Sequence, residues 1–348
     1  MNQESFEIKF KKDFSNQPAF RLRQIQQAWF DPKIKNWGDL TNLPKNLRQD
    51  LEKLFPWNFL RLEKIISSKN NDATKALLNT QDHKNIETVL MVNRRGQLTI
   101  CLSCQVGCAM ACTFCATGSM GLIRSLTVEE IIDQYRFWVN YILDKPELPR
   151  RISNIVLMGM GEPLNNYQNV KQALNLILKY TDIGQTRITV STVGILPVMV
   201  EVLKDPEWPP VRIAISLHGA NFNTRKKIIP TTTPDFFEEL VKWSKSYLKD
   251  FGNRRHHLSF EYIMINGVND SLTDAKDLAD LVKRIGKVKI NLIPFNTVNH
   301  IDLQNSRTDR ANKFFSYLEQ HDVTVTIRRS MGEDISAACG QLVTSIKK

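Results

Sequence analysis

From residue 18 to 66 the apolar positions recur at helical spacing: Leu22, Ile25 and Trp29, then Leu47, Leu51 and Leu54 after a Leu43-Pro44 start. The pattern predicts short amphipathic helices. Beyond residue 85 the texture changes to apolar, β-branched runs separated by helical stretches. The runs are Leu98 to Leu102, Ile152 to Met158, Arg187 to Thr192, Val211 to Leu217, Leu258 to Ile265 and Val288 to Phe295. Strands alternating with helices predict parallel βαβ units and an α/β fold. A further run, Val323 to Arg329, either extends the sheet or pairs at its edge. One helix start is well marked, because Thr127 with Glu130 three residues on makes a capping box ahead of Ile131, Tyr135, Trp138 and Ile142. Two domains are expected: a helical accessory unit over 1–85 and an α/β unit over 86–348.

What stands at the strand ends narrows the chemistry. The endings are Gly159-Met160-Gly161-Glu162-Pro163, Ser191-Thr192, Ser216-Leu217-His218 and Pro294-Phe295-Asn296. In a parallel β/α barrel the C-terminal strand ends form the active-site rim, so polar residues there read as ligand contacts. The plainer reading, that Gly, Ser and Asn only make turns, competes at each ending taken singly.

The 348 residues are 42% hydrophobic and 24% charged, which excludes disordered, fibrous and low-complexity classes. The longest apolar stretches, Ile155 to Met160 and Gly194 to Val200, are too short to cross a bilayer, so no membrane partner is expected. The opening MNQESFEIKFKKDF has no apolar signal-peptide core, and a cytoplasmic protein is the expectation. Lys and Arg outnumber Asp and Glu by 47 to 36, a net charge of +11. Residues 1–100 carry 17 basic and 11 acidic side chains, +6 of that excess. The accessory unit is therefore basic and suited to a polyanion, with a solvated charged surface as the alternative.

Cysteine placement is the most specific signal. Cys101, Cys104, Cys108, Cys112 and Cys115 crowd into fifteen residues, and the sixth, Cys339, stands near the end. A chain of this size without a secretory signature does not use such a cluster as a disulfide framework; metal or redox chemistry fits better. Cys108, Cys112 and Cys115, spaced C-x3-C-x2-C, supply three thiolates for zinc or iron–sulfur. Zinc would take a fourth donor from Cys101, Cys104 or a distant His. A four-iron cluster on three cysteines would leave one iron open. Spacing alone leaves both readings standing.

The surrounding text resolves this by resemblance. Cys101-Leu-Ser-Cys-Gln-Val-Gly-Cys108, Phe114-Cys-Ala-Thr-Gly118, Met158-Gly-Met-Gly-Glu-Pro163, Ala214-Ile-Ser-Leu-His218, Gly267-Val-Asn-Asp270, Asn291-Leu-Ile-Pro294 and Asp334-Ile-Ser-Ala-Ala-Cys-Gly-Gln-Leu342 resemble the radical S-adenosylmethionine (SAM) superfamily. Within it they resemble the RlmN/Cfr family of RNA adenine methyltransferases, from about Glu87 to Leu342. The resemblance implies a partial (β/α)6 radical SAM barrel with a small N-terminal helical accessory domain that binds RNA. It implies one [4Fe-4S] cluster on Cys108, Cys112 and Cys115, with SAM held by Gly161, Glu162, Ser191, Ser216, Leu217, His218 and Asn296. Two SAM molecules would be used per turnover, one to methylate Cys339 and one to generate a radical that activates the S-methyl group. The route is indirect because adenine C2 is electrophilic and has no lone pair to take a methyl cation equivalent. Cys101 would release the product by forming a disulfide with Cys339, and Glu87 matches the base that takes the C2 proton.

The implied substrates are an adenosine of 23S rRNA in the peptidyl-transferase region and the adenosine 3′ of the anticodon in tRNA, with flavodoxin or ferredoxin as electron donor and a monomer as the working unit. Each role has a plainer rival. Cys339 between Ala338 and Gly340 could be a small buried residue, Glu87 an ordinary strand residue and His218 a core histidine. Cys104 stands where the family pattern has serine, and a spectator role suits it. Pro163, Val106 and Pro294 resemble the C2 enzymes rather than the Cfr-like C8 methyltransferases that confer ribosomal antibiotic resistance. A zinc-stabilised, non-catalytic RNA-binding protein is the contrasting class.

Overall fold

The computed structural model describes residues 4–252, 258–298, 301–328 and 330–343. The chain begins with helices α1 (Phe6–Asp13), α2 (Ala19–Trp29) and α3 (Lys45–Leu54). Their apolar faces, with Trp37 and Trp57, enclose a separate aromatic core in which Phe6 meets Trp29 edge-on at 5.0 Å and Trp37 meets Trp57 at 5.1 Å. Leu54, placed on the helical stripe by its spacing, is 57% exposed at the helix end.

The expectation of a helical unit running to residue 85 is corrected here. Residues Leu60–Ser67 (β1) and Ala73–Thr80 (β2) are strands, paired antiparallel with each other and, through β3 (Asn85–Val92), joined to the main sheet. The helical unit therefore ends at Leu54 and its core at Trp57. Strand β1 is the sheet edge and its middle residues, Arg61, Glu63 and Lys64 among them, face solvent, so it lacks the apolar alternation that marks a half-buried strand. Backbone pairing with β2, which no local propensity announces, decides its conformation.

The remaining elements follow the alternation. They are β4 (Leu98–Cys101), β5 (Gln105–Gly107), α4 (Ala116–Ser119), β6 (Leu122–Ser125), α5 (Val128–Leu143), β7 (Ile152–Leu157), α6 (Tyr167–Tyr180), β8 (Ile188–Thr192), α7 (Leu196–Lys204), β9 (Arg212–Ser216), α8 (Phe222–Ile228), α9 (Phe236–Phe251), β10 (Ser259–Met264), α10 (Leu272–Ile285), β11 (Lys289–Pro294), α11 (Thr308–Gln320) and β12 (Thr324–Ile327). Among the described residues one ten-stranded sheet runs in the order β1-β2-β3-β4-β7-β8-β9-β10-β11-β12. From β4 to β12 every pairing is parallel, and from β1 to β4 every pairing is antiparallel. The six predicted strands are thus the six-stranded parallel arc of a partial (β/α)6 barrel, and the run from Val323 supplies β12 at its edge. Arg329, the last residue of that run, lies outside the described residues. Strands β5 and β6 form a small hairpin beside the mouth of the arc.

Helix α5 locks the two units together. Its predicted capping box is present, with Thr127 Oγ1 and the Glu130 carboxylate each accepting the other residue's backbone N–H. On its outer side Glu129 accepts the N–H of Phe6 at 2.9 Å. Asp133 accepts the N–H groups of Phe59 and Leu60 and pairs with Arg136, which donates to the Trp57 carbonyl at 3.0 Å. On its inner side Gln134 reads both backbone groups of Ser103 at 2.8 and 2.9 Å, which satisfies the peptide where β4 leaves the sheet. No described helix is long and apolar enough to cross a membrane.

Candidate active site

The three cysteines of the C-x3-C-x2-C segment lie on the loop between β5 and α4. The loop is fastened by Cys108 N–H to the Gly121 carbonyl at 2.9 Å and by Thr113 N–H to the Ile228 carbonyl at 2.9 Å. It packs on Ile228, Ile229, Ile263 and Phe295. The thiols open into a cleft at the C-terminal ends of the parallel strands, whose wall also includes Gly161, Glu162, Ser191, Ser216, His218, Glu261 and Cys339. Burial pushes all three thiols up, Cys108 to about 12, and the charge of Cys115 raises Cys108 and Cys112 further. A cation must therefore displace their protons, as metal loading does.

The donor set fits a [4Fe-4S] cluster with one open iron. Among the described residues no three His, Cys, Asp or Glu groups converge as a single ion needs, whereas a cluster spaces its ligands more widely. Cys104 is not placed as a fourth ligand for zinc, since it points its Sγ at the Met160 carbonyl at 3.6 Å and lies outside the cleft wall.

The predicted SAM residues divide. Gly161 adopts φ +103°, and a Cβ there would lie 2.6 Å from the Gln105 side chain, so the sharp turn after β7 needs glycine. That turn aims Glu162, buried, into the cleft, with its carboxylate accepting the N–H groups of Leu164 and Val193 at 3.0 and 2.9 Å. Burial raises its pKa, opposed by the Thr192 hydroxyl, these N–H groups and Arg225. Ser191 and Ser216, at the ends of β8 and β9, hydrogen bond at 3.2 Å. His218 lines the cleft, edge-on to Phe114 at 4.7 Å. Its Nδ1 accepts the Ile263 N–H, and burial, with Arg225 nearby, lowers its pKa to about 3, so the ring is neutral. Leu217 is completely buried and off the cleft wall; its backbone serves instead, donating to the Glu261 carbonyl and accepting from Arg225. Asn296 also lies off this wall, with its amide donating to the Cys339 carbonyl at 3.1 Å.

Cys339 stands where two hollows meet. One is the cleft of the three thiols. The other is a small pocket lined by Cys101, Met158, Asn296, Arg328 and Leu342, and Cys339 belongs to both walls. Cys339 is exposed and Cys101 buried; both are free thiols, close enough for the charge of one to raise the pKa of the other, with burial lifting Cys101 to about 12. The rival reading of Cys339 as a small buried residue is overturned by this exposure. Its loop is pinned by Ala116 N–H to the Gly340 carbonyl, Thr117 Oγ1 to the Leu342 carbonyl and Gln341 to the Thr297 carbonyl, at 2.8, 2.6 and 2.8 Å.

Glu87 is buried on β3 and faces neither hollow. One carboxylate oxygen pairs with Lys75 at 2.9 Å and the other accepts the Val343 N–H at 2.9 Å, so it holds down the segment just after Cys339. The sequence reading overlooked Glu261 and Arg328, which pair at 3.1 Å beside the two cysteines. A glutamate inside the apolar run of β10 was the available signal, because a buried carboxylate demands a partner. Of the basic N-terminal residues, Lys9, Lys11, Lys12 and Arg23 are exposed, while Arg21 is engaged by the Asn42 carbonyl at 2.9 Å.

The fold and this cleft define a radical SAM enzyme: the Radical SAM superfamily profile matches residues 102–282. A solved structure, a radical SAM methyltransferase from Sphaerobacter thermophilus, superposes with a TM-score of 0.86 at 35% identity, covering 97% of this chain and 96% of that one. At the level of family, the chain is 38% identical over 336 residues to a probable dual-specificity RNA methyltransferase RlmN of Clostridium botulinum (strain Alaska E43 / Type E3), covering 96% of this chain and 93% of the relative. It is 40% identical over 335 residues to the dual-specificity RNA methyltransferase RlmN of Desulfotalea psychrophila, covering 94% and 90%. The chain belongs to the RlmN family.

Proposed function

We propose that this radical SAM RNA methyltransferase methylates C2 of an adenosine in 23S rRNA and of the adenosine 3′ of the anticodon in tRNA. The observation that carries the mechanism is the position of Cys339 on the shared wall between the thiol cleft and the Cys101 pocket. Cys108, Cys112 and Cys115 hold the cluster, while Gly161, Glu162, Ser191, Ser216 and His218 receive SAM. When bound, cluster and SAM supply a methyl group and one-electron radical chemistry, two SAM being used per turnover. Cys339, exposed on a pinned loop, is the sulfur that accepts a methyl group and presents it to the base.

Once that carbon bridges Cys339 and the adenine, Cys101 attacks the Cys339 sulfur. The S–S bond forms, the S–C bond breaks, and the electron pair leaves with the carbon, which a proton completes as the methyl group. A thiol reductant then reopens the disulfide. Arg328 stands beside both sulfurs, and its charge opposes the burial that pushes the Cys101 thiol up. Glu87, tied to Lys75 and Val343, acts on C2 only if the segment after Cys339 shifts to free it. Exposed Lys9, Lys11, Lys12 and Arg23 meet RNA phosphates, and the base is splayed out of the RNA to reach Cys339.

The test is anaerobic reconstitution with iron, sulfide, SAM and reduced flavodoxin or ferredoxin, followed by mass spectrometry of nucleosides from an rRNA fragment. 2-Methyladenosine that disappears in Cys339→Ala, with cluster and SAM binding retained, is the expected result. 8-Methyladenosine would move the protein to Cfr-like chemistry. Zinc in place of iron with no methylated base would overturn the assignment.

A further inference from the structure

Arg225, on α8, is among the largest completely buried side chains of the protein, at 1% exposure. Buried arginines elsewhere in the chain are matched by carboxylates: Arg124 by Asp82 and Glu130, Arg136 by Asp133. Arg225 is not. Among the described residues no carboxylate lies within 4.0 Å of its guanidinium, and its contacts are neutral. Nε donates to the Leu217 carbonyl at 3.1 Å, Nη1 to Thr232 Oγ1 at 2.7 Å, and Nη2 to the carbonyls of Val193 and Ser216 at 2.5 and 3.4 Å. The ring of Phe236 covers one face of the guanidinium at 3.6 Å. A guanidinium without an anion is costly to bury, so four neutral acceptors and a ring face compensate it only in part.

The missing negative charge belongs to the cleft. Arg225 lies just behind the cleft wall, for two of its partners, Val193 and Ser216, line that wall, and its own helix α8 fastens the thiol loop through the Thr113 N–H to the Ile228 carbonyl. Arg225 is joined to Glu162 through one residue, since the Val193 N–H donates to the Glu162 carboxylate while the Val193 carbonyl accepts from Arg225. Its other carbonyl partners, Leu217 and Ser216, sit at the end of β9 on the rim. A thiolate-ligated iron–sulfur cluster is an anion, and reduction by one electron makes it more so. Net charge around a cluster is one of the levers that set its potential.

We infer that Arg225 is a positioning residue that serves as the fixed counter-charge of the cluster site, holding the ends of β8 and β9 in place and easing reduction of the cluster. The inference rests on the proposed cluster at Cys108, Cys112 and Cys115. No sequence motif announces it, because an arginine seven residues beyond a strand-end histidine looks like any helix-surface residue.

The test compares the full-length protein with Arg225→Lys, which keeps the charge, and Arg225→Gln, which keeps hydrogen bonding and removes the charge. Each is reconstituted anaerobically, its iron and sulfide counted, its fold checked by circular dichroism, and its midpoint potential measured by a redox titration followed by electron paramagnetic resonance. The expected order is a potential near the parent's for Arg225→Lys and a shift to more negative potential for Arg225→Gln. Loss of iron in Arg225→Gln with retention in Arg225→Lys supports the inference equally. A loaded Arg225→Gln with the parent's potential overturns it. So does equal failure of both variants to fold or load, which would make the fork geometry, not the charge, the requirement. A parent protein that binds no cluster under these conditions would instead sink the proposed function.

Discussion

Two regions of this molecule bury charge, and they do it in different ways. At the contact of α5 with the N-terminal helices, Asp133 and Arg136 neutralise each other and also satisfy the backbone of Trp57, Phe59 and Leu60. At the strand-end cleft, Glu162 and Arg225 are each held by neutral groups and are bridged by the backbone of Val193. A charge pair closed on itself is a joint between two parts of a fold. Charges held by neutral groups at the rim of a cleft keep their field for something that binds there.

The contrast is broken or sharpened by substitution. Asp133→Ala leaves the Arg136 guanidinium buried without its partner and orphans two N–H groups, so it should cost about 3–5 kcal/mol of stability. Denaturant unfolding checks this, and a change within experimental error would mean the joint is not held by the pair.

Glu129, on the same helix, is the exception in that contact. It accepts the Phe6 N–H without a cation, and burial raises its pKa from 4.5 to about 7. The folded state then holds a proton that the unfolded state releases, so stability falls as pH rises from about 4.5 to about 7 and levels off above. Glu129→Gln keeps an acceptor for Phe6 and removes the ionisation. It should stabilise the protein at pH 8 by on the order of 2–3 kcal/mol and have little effect at pH 4. Melting temperatures across that range decide it; equal effects at both ends would contradict the assignment.

The smallest stability effect belongs to the cleft. Glu162→Gln preserves an oxygen for Leu164 and Val193, so stability should change by less than about 1 kcal/mol. SAM affinity should nevertheless fall roughly tenfold, the worth of one charge-assisted hydrogen bond. Equilibrium binding to the reconstituted protein measures it, and unchanged affinity would remove Glu162 from the SAM site.

What was legible in the sequence follows the same physical divide. The arc from β4 to β11 was readable because strands buried on both faces are continuous apolar runs, and helix α5 because its cap is a local signal. Strand β1 was not, because an exposed edge strand has no apolar stripe and owes its conformation to pairing with β2. In the cleft the cysteine spacing and the strand-end residues carried local signatures. Leu217 and Asn296 stand at strand ends but off the cleft wall, and the structure uses a backbone in one case and the support of Cys339 in the other. Glu261 and Arg328 could not be placed from spacing, since 67 residues separate them and only the folded sheet brings them together; Glu87 and Arg225 carry no local signature of the backbone groups they bind.

The proposal turns on Cys339 working between two sulfur environments, and Cys101→Ala tests that most directly. The variant is reconstituted with cluster and SAM, incubated with an rRNA fragment, and digested for mass spectrometry of both protein and RNA. The account predicts a covalent adduct in which one carbon bridges Cys339 to the adenine, with little free methylated RNA. Free 2-methyladenosine at the parent's turnover, with no adduct, would contradict it.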